Sequence, residues 1–208
     1  MLILARHGQS EANREGLLLG RLDSPLTEVG RRQADAIAQA VCTRASSTAR
    51  LPARIVTSPL SRARQTAEAI AARLGGAVAV EVDDRVVELD YGELDGASPR
   101  SLPASWWASW RADPGLAPPG GESLSEVHDR VVGALEEWSE VAASFDVVVV
   151  SHVSPIKSAV SWAVGAGPEL AWRLGLDVAS ITRIRTTAGG DHDPSLVGFN
   201  DTSHLQGV

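Results

Sequence analysis

At 208 residues, with 44% apolar and 22% charged side chains, the chain has the composition of a globular protein long enough to bury a core in one domain, residues 1–208, which excludes wholesale disorder. A formal net charge of -7 argues against non-specific binding to nucleic acid or to an anionic membrane, while leaving room for a local basic pocket. One cysteine, Cys42, excludes an intrachain disulfide framework, and without an export pattern or a run of about 20 apolar residues the expectation is a soluble protein of the reducing cytoplasm.

In chain order, Leu2 to Ala5 reads as a buried strand that runs straight into Arg6 and His7, two groups that need water or a charged partner. Glu28 to Cys42 reads as a helix, because Val29, Ala36, Ile37, Ala40 and Val41 recur near a 3.6-residue period. Thr27 is its expected cap, and Cys42 a small packing residue on it. Arg54 to Thr57 reads as a second strand, and Ser58 with Pro59 as the N-cap and first position of a helix to Leu74 that Gly75 and Gly76 stop. Ala77 to Val82 is a third strand. The stretch from Glu88 to Gly121, rich in Pro, Gly and Trp, reads as an irregular excursion with one short helix around Trp106 to Arg111. Ser123 and Glu126 then form a capping box, ahead of a long helix striped by Leu124, Val127, Val131, Leu135 and Trp138. Phe145 to Val150 reads as a central strand covered on both faces, Ser154 and Pro155 start a helix through about Val164, and Ile181 to Thr187 and Leu196 to Phe199 read as late strands.

Strands alternating with helices imply an α/β fold with a mostly parallel sheet. Three of the strands end on functional groups beside a helix start: Arg6 and His7, then Ser58 to Arg62, then Ser151 and His152. Ligands of open α/β sheets sit outside the carboxyl ends of the strands, so these distant segments are expected to converge on one pocket. Two arginines and two histidines at helix starts make an anion site that suits a phosphate. Histidine can act as a nucleophile, and Glu88, just beyond the apolar pair Val86 and Val87, can supply the proton for a leaving alkoxide if burial keeps its carboxyl protonated.

RHGQSEAN with Arg6 and His7, TSPLSRARQTA with Arg62, VELDYGELDG with Glu88, PGGES at Pro119 to Ser123 and SHVSPIK with His152 follow one another along nearly the whole chain. Together they resemble the histidine phosphatase superfamily, also called phosphoglycerate-mutase-like. The resemblance implies a three-layer α/β/α fold with a mostly parallel central sheet. It implies His7 as the nucleophile that becomes phosphohistidine, with Arg6, Arg62 and His152 around the phosphoryl oxygens and Glu88 as general acid and then base. Asn13 takes the family's phosphate-binding position, with Ser10 and Val153 lining the same pocket. No cofactor and no metal are implied, and two adjacent arginines make a bound cation unattractive on electrostatic grounds. After the second histidine many members have glycine and, several residues on, arginine; this chain has Val153 and Lys157.

Each site residue has a rival. Asp90, Glu93 and Asp95 compete with Glu88 for the acid, and Arg64, a surface partner for Glu68, competes with Arg62. His128, His192 and His204 read as solvated surface residues without a role. Trp106, Trp107 and Trp110 read equally as core packing or as a lid over the pocket. The expected activity is hydrolysis of a small phosphorylated metabolite by a monomer or homodimer, with no nucleic-acid or membrane partner. Phosphoglycerate mutase is the runner-up, disfavoured because the excursion offers only Arg100 and Arg111 as extra basic residues, and a non-catalytic phosphate-binding module is the third reading.

Overall fold

Successive residues of a strand face opposite sides of a sheet, and four strands here are apolar on both sides. The computed structural model describes residues 1–187 and 193–208. Its six strands are β1 (Leu2–Arg6), β2 (Arg54–Thr57), β3 (Val80–Val82), β4 (Val147–Ser151), β5 (Ile181–Arg185) and β6 (Ser195–Asp201). They form one sheet in the order β3-β2-β4-β1-β5-β6. The pairings β1 to β4, β4 to β2 and β2 to β3 are parallel, whereas β5 runs antiparallel to both of its neighbours.

The helices are α1 (Glu11–Glu15), α2 (Glu28–Thr48), α3 (Ser61–Arg73), α4 (Ala104–Ala112), α5 (Leu124–Ser144) and α6 (Val153–Ala163). Leu2, Leu4, Val147 and Val149 pack with Leu135 and Trp138 of α5 and Ile156 of α6. Their neighbours Ile3, Ala5, Val148 and Val150 pack with Ile37 and Val41 of α2 and Ala67 and Ile70 of α3. Two apolar cores on opposite faces of the sheet make the expected three layers. None of the described helices is long and apolar enough to cross a membrane.

Several element ends differ from the sequence reading. Helix α2 continues past Cys42 because Ala45 still packs into the core, and it stops where Ala49 turns left-handed at φ 54°. Phe145 caps α5 and is exposed, so β4 starts two residues later, at Val147. Only Val80–Val82 of the third expected strand pairs with β2. Ser58 does not cap α3, which begins at Ser61 behind Leu60, and the Ser61 amide donates to the carboxylate of Asp23 at 2.9 Å. Helix α6 begins at Val153, one residue before the expected start, with His152 at its N-cap. Helix α1, absent from the sequence reading, is a single turn closed by a capping box between Ser10 and Asn13.

Candidate active site

The parallel register brings the three strand ends together. Arg6 lies opposite Ser151, the His7 amide donates to the Ser151 carbonyl at 3.1 Å, and the Ser58 amide donates to the Val150 carbonyl at 3.1 Å. Glycine allows this close approach: a side chain at Gly8 would strike the backbone carbonyl of Gly30 in α2, and one at Gly30 would strike that of Gln9. The loop carrying His7 is thereby clamped against a helix.

His7 is 3% exposed, and His152 and Arg62 are 0% exposed. The two imidazole rings lie 5.0 Å apart between centroids. His7 Nδ1 is 2.7 Å from the carbonyl oxygen of Gly8. A carbonyl only accepts, so Nδ1 carries the proton and Nε2 keeps its lone pair. Burial, and then the positive charges of Arg62 and Arg6, hold the His7 pKa well below the usual imidazole range, against the Gly8 carbonyl. Burial likewise holds His152 well below that range, helped by His7, Arg62 and Arg6. Both rings are therefore neutral at neutral pH.

The arginines are fixed by backbone carbonyls. Arg62 donates to Leu22 at 3.0 Å and Gly20 at 2.8 Å, and Arg6 donates to Leu176 at 2.7 Å. Burial pulls both guanidinium pKa values down, while the Glu88 carboxylate pushes them up. Arg6 Nε, Arg62 Nε and His152 Nδ1 are buried with no protein partner. Buried donors without acceptors are rare and costly. Their concentration in residues gathered at one place marks the space between them as suited to an oxygen-rich anion. Among the described residues, no group of three or more His, Cys, Asp or Glu is placed to hold a metal ion.

Glu88 separates from its three rivals. It is 4% exposed, and its carboxylate accepts from the amides of Leu89 at 2.8 Å, Val153 at 3.0 Å and Ser154 at 3.1 Å, two of them in the first turn of α6. Asp95 is instead spent on the amides of Gly20, Arg21 and Leu22, Asp90 turns back on Gly92, and Glu93 is exposed. Val153 thus meets the site through its N–H. Arg64 lies on the surface, 3.9 Å from Glu68. Ser10 Oγ donates to Asn13 Oδ1 at 3.0 Å and accepts from the Asn13 amide at 3.3 Å, so Ser10 is committed to capping. The Asn13 side-chain NH2 has no protein partner among the described residues.

Two positions were missed or misread in the sequence. Ser58, read as a cap, is fully buried and its Oγ lies 2.7 Å from His152 Nε2. Arg130 bonds both oxygens of Glu122, at 2.7 and 2.9 Å, and donates to the carbonyl of Glu88 at 3.3 Å. The spacing of Glu122 and Arg130, two turns apart across the start of α5, was the available signal. His128 and His204 are half-buried, correcting the solvated reading: His128 Nδ1 has no partner, and His204 Nε2 donates to Ala179. His192 lies outside the described residues. Trp110 is core, with Trp107 packed against it, and both wall a hollow beside Glu88, so the packing and pocket readings both apply to them. Trp106 is half-buried and does not reach that hollow.

The family model described as histidine phosphatase superfamily (branch 1) matches residues 2–202. A bifunctional protein of Mycobacterium tuberculosis is 37% identical over 207 residues, covering 98% of this chain and 54% of the relative. The chain therefore spans about half the length of that curated relative. Phosphoserine phosphatase 1 of Hydrogenobacter thermophilus is 35% identical over 208 residues, covering 98% of this chain and 93% of its own. A solved mycobacterial glucosyl-3-phosphoglycerate phosphatase in complex with VO3 superposes with a TM-score of 0.84 at 29% identity, covering 97% of this chain and 99% of that one.

Proposed function

The chain belongs to the histidine phosphatase superfamily, and from that premise we propose that it hydrolyses small phosphomonoesters without a metal, through a phosphohistidine on His7. The observation that carries this reading is the bond from His7 Nδ1 to the Gly8 carbonyl, which leaves the Nε2 lone pair free beside a set of unpaired cationic donors.

In the first step His7 Nε2 bonds to phosphorus while the ester oxygen departs and takes the proton of the Glu88 carboxyl. In the second step the Glu88 carboxylate accepts a proton from water, the water oxygen bonds to phosphorus, and the bond from phosphorus to Nε2 breaks to release inorganic phosphate. Arg6, Arg62 and His152 hold the phosphoryl oxygens, where charge gathers in a loose transition state. The Asn13 amide adds a donor that Ser10 orients, and the N–H of Val153 helps to aim Glu88. Fixed guanidinium groups supply the stabilisation that a metal gives other phosphatases.

Hydrolysis is favoured over mutase activity because the excursion has no spare basic wall. Arg111 lies over the Trp172 ring, 5.8 Å from its centroid, and Arg100 is exposed. A non-catalytic module is disfavoured by the joint presence of the nucleophile, both arginines, the acid and the second histidine. The test is release of inorganic phosphate from an aryl phosphate in the presence of a metal chelator, by the wild type beside His7→Ala. Release by the wild type alone supports the reading. A chelator-sensitive reaction, or equal release by both proteins, overturns it.

A further inference from the structure

Between Arg173 and Ile181 the chain forms no helix or strand, yet three of its backbone groups hold the site. The Leu176 carbonyl accepts from the Arg6 guanidinium at 2.7 Å. The Ser180 carbonyl accepts from the Arg6 amide at 3.0 Å, and the Ala179 amide donates to the His7 carbonyl at 3.1 Å. Loops are the mobile part of a fold, so a loop that aims a catalytic arginine needs an outside hold.

That hold comes from the end of β6 and the turn after it. Along β5 one residue, Thr182, separates Ile181 from Arg183, whereas on β6 two, Phe199 and Asn200, separate their partners Asp201 and Gly198. Such a bulge bends a strand and re-aims a side chain. Asn200, with φ 53°, accepts from the Asp177 amide and donates to the Asp177 carboxylate, both at 2.7 Å. Four residues on, His204 Nε2 donates to the Ala179 carbonyl at 2.9 Å, and Leu205 seats the turn against the core between the sheet and helices α2 and α3. Ala179 is fully buried with φ 60°, a left-handed backbone that is unfavourable for a residue with a Cβ and persists only where its surroundings impose it. Its amide is tied to His7 and its carbonyl to His204, so the strained residue links the two histidines.

We propose that Asn200 and His204 are positioning residues of the active site. They fix the loop from Leu176 to Ser180, and the loop sets the Arg6 guanidinium and the His7 backbone for the phosphoryl group. The proposal rests on the phosphatase reading for the role of Arg6. Groups that touch an anion keep their aim only when a second layer of contacts holds them, and small displacements there are expensive.

Calorimetric binding of inorganic phosphate tests it, with Asn200→Ala placed in the wild type and in Arg6→Met. In the wild type Asn200→Ala is expected to weaken phosphate about tenfold, as loss of one well-aimed charge-assisted contact does, and to lower kcat/KM equally on aryl and alkyl esters. In Arg6→Met the same change is expected to weaken phosphate by less than about twofold, because its effect runs through Arg6. Asn200→Asp sets two carboxylates face to face and should lose as much as alanine, and adding Asp177→Asn, which exchanges amide and carboxylate, should recover most of the loss. His204→Ala should weaken phosphate a few-fold, and His204→Gln, which keeps an N–H donor for the Ala179 carbonyl, should recover it. Equal losses from Asn200→Ala with and without Arg6, or an unchanged phosphate affinity in folded Asn200→Ala, overturn the proposal. If Arg6→Met does not fold, the exchange pair decides, and no recovery overturns it. Phosphate binding needs no turnover, so a wild type that binds phosphate and hydrolyses no ester defeats the phosphatase reading alone, and an active phosphatase with equal losses in both backgrounds defeats this proposal alone.

Discussion

The two sides of the site are built differently. The phosphate side hangs from the ends of β1, β2 and β4, whose backbone pairing fixes His7, Ser58 and His152 relative to one another. The leaving-group side comes from the excursion after Glu88, held by short turns, glycine contacts and the ion pair of Arg130 with Glu122. At Gly92 an added side chain would meet the backbone around Pro119, so the two ends of the excursion are pressed together at that point. The ends of paired interior strands resist change, whereas loops between the same anchors can be rebuilt without disturbing them. If the proposed mechanism holds, the strand ends set the reaction and the excursion acts on the choice of substrate.

Changes on the sheet side should act on every substrate. His7→Ala is expected to cost roughly 10⁴-fold or more in kcat for any phosphomonoester, as loss of a nucleophile does, while leaving the circular dichroism spectrum unchanged. Retained turnover of aryl and alkyl substrates alike would break the division.

Glu88 stands at the boundary, and its effect should depend on the leaving group. Glu88→Gln is expected to cost about 10²- to 10⁴-fold on alkyl phosphates and far less on aryl phosphates, whose oxygen departs without a proton. Steady-state kinetics on both classes checks this, and equal losses would remove Glu88 from the acid role.

Ser58→Ala removes the hydroxyl 2.7 Å from His152 Nε2 and is expected to lower kcat about tenfold, in line with the loss of one orienting hydrogen bond in a charged site. KM for aryl and alkyl esters should move together. A change confined to one of them would place Ser58 on the leaving-group side.

The smallest expected effect is on stability against pH. Both site histidines have folded pKa values depressed below their unfolded values. The unfolded chain therefore binds more protons as pH falls below about 6.5. The stability that this neutrality contributes is present above about pH 6.5 and is lost as pH falls through it, by up to about 1.4 kcal/mol per pH unit for each ring. Thermal unfolding between about pH 7.5 and about pH 5.5 reads this, and His7→Phe should flatten the slope. Inorganic phosphate should flatten it too, by stabilising the protonated rings. A slope unaffected by either contradicts the burial of two neutral imidazoles.

Legibility in the sequence followed the same division. Strands with apolar residues on both faces and helices with strong periodicity, such as β4 and α5, could be read directly, and their ends located His7, Arg62 and His152. Ile181 to Thr187 reads as a strand and β5 lies within it, but its antiparallel direction is not legible, because strand direction depends on how the chain returns and not on its own residues. Serine before proline is ordinary helix punctuation, so Ser58 reads as a cap as well as part of a functional strand end. Its partner His152 is 94 residues away and visible only in the fold. The burial of Glu88 followed from Val86 and Val87, but its three amide donors come partly from α6 and carry no local signal. The tryptophans stayed ambiguous because an aromatic cluster looks the same in sequence whether it fills a core or walls a cavity.

The most direct test of the central claim is to mix the wild-type protein with an aryl phosphate, quench in base within one turnover and map the phosphoryl group by mass spectrometry of the peptides. A phosphoryl adduct on the peptide bearing His7, absent from His7→Ala, is the predicted result. Turnover with no adduct at His7, or an adduct on another residue, would contradict it.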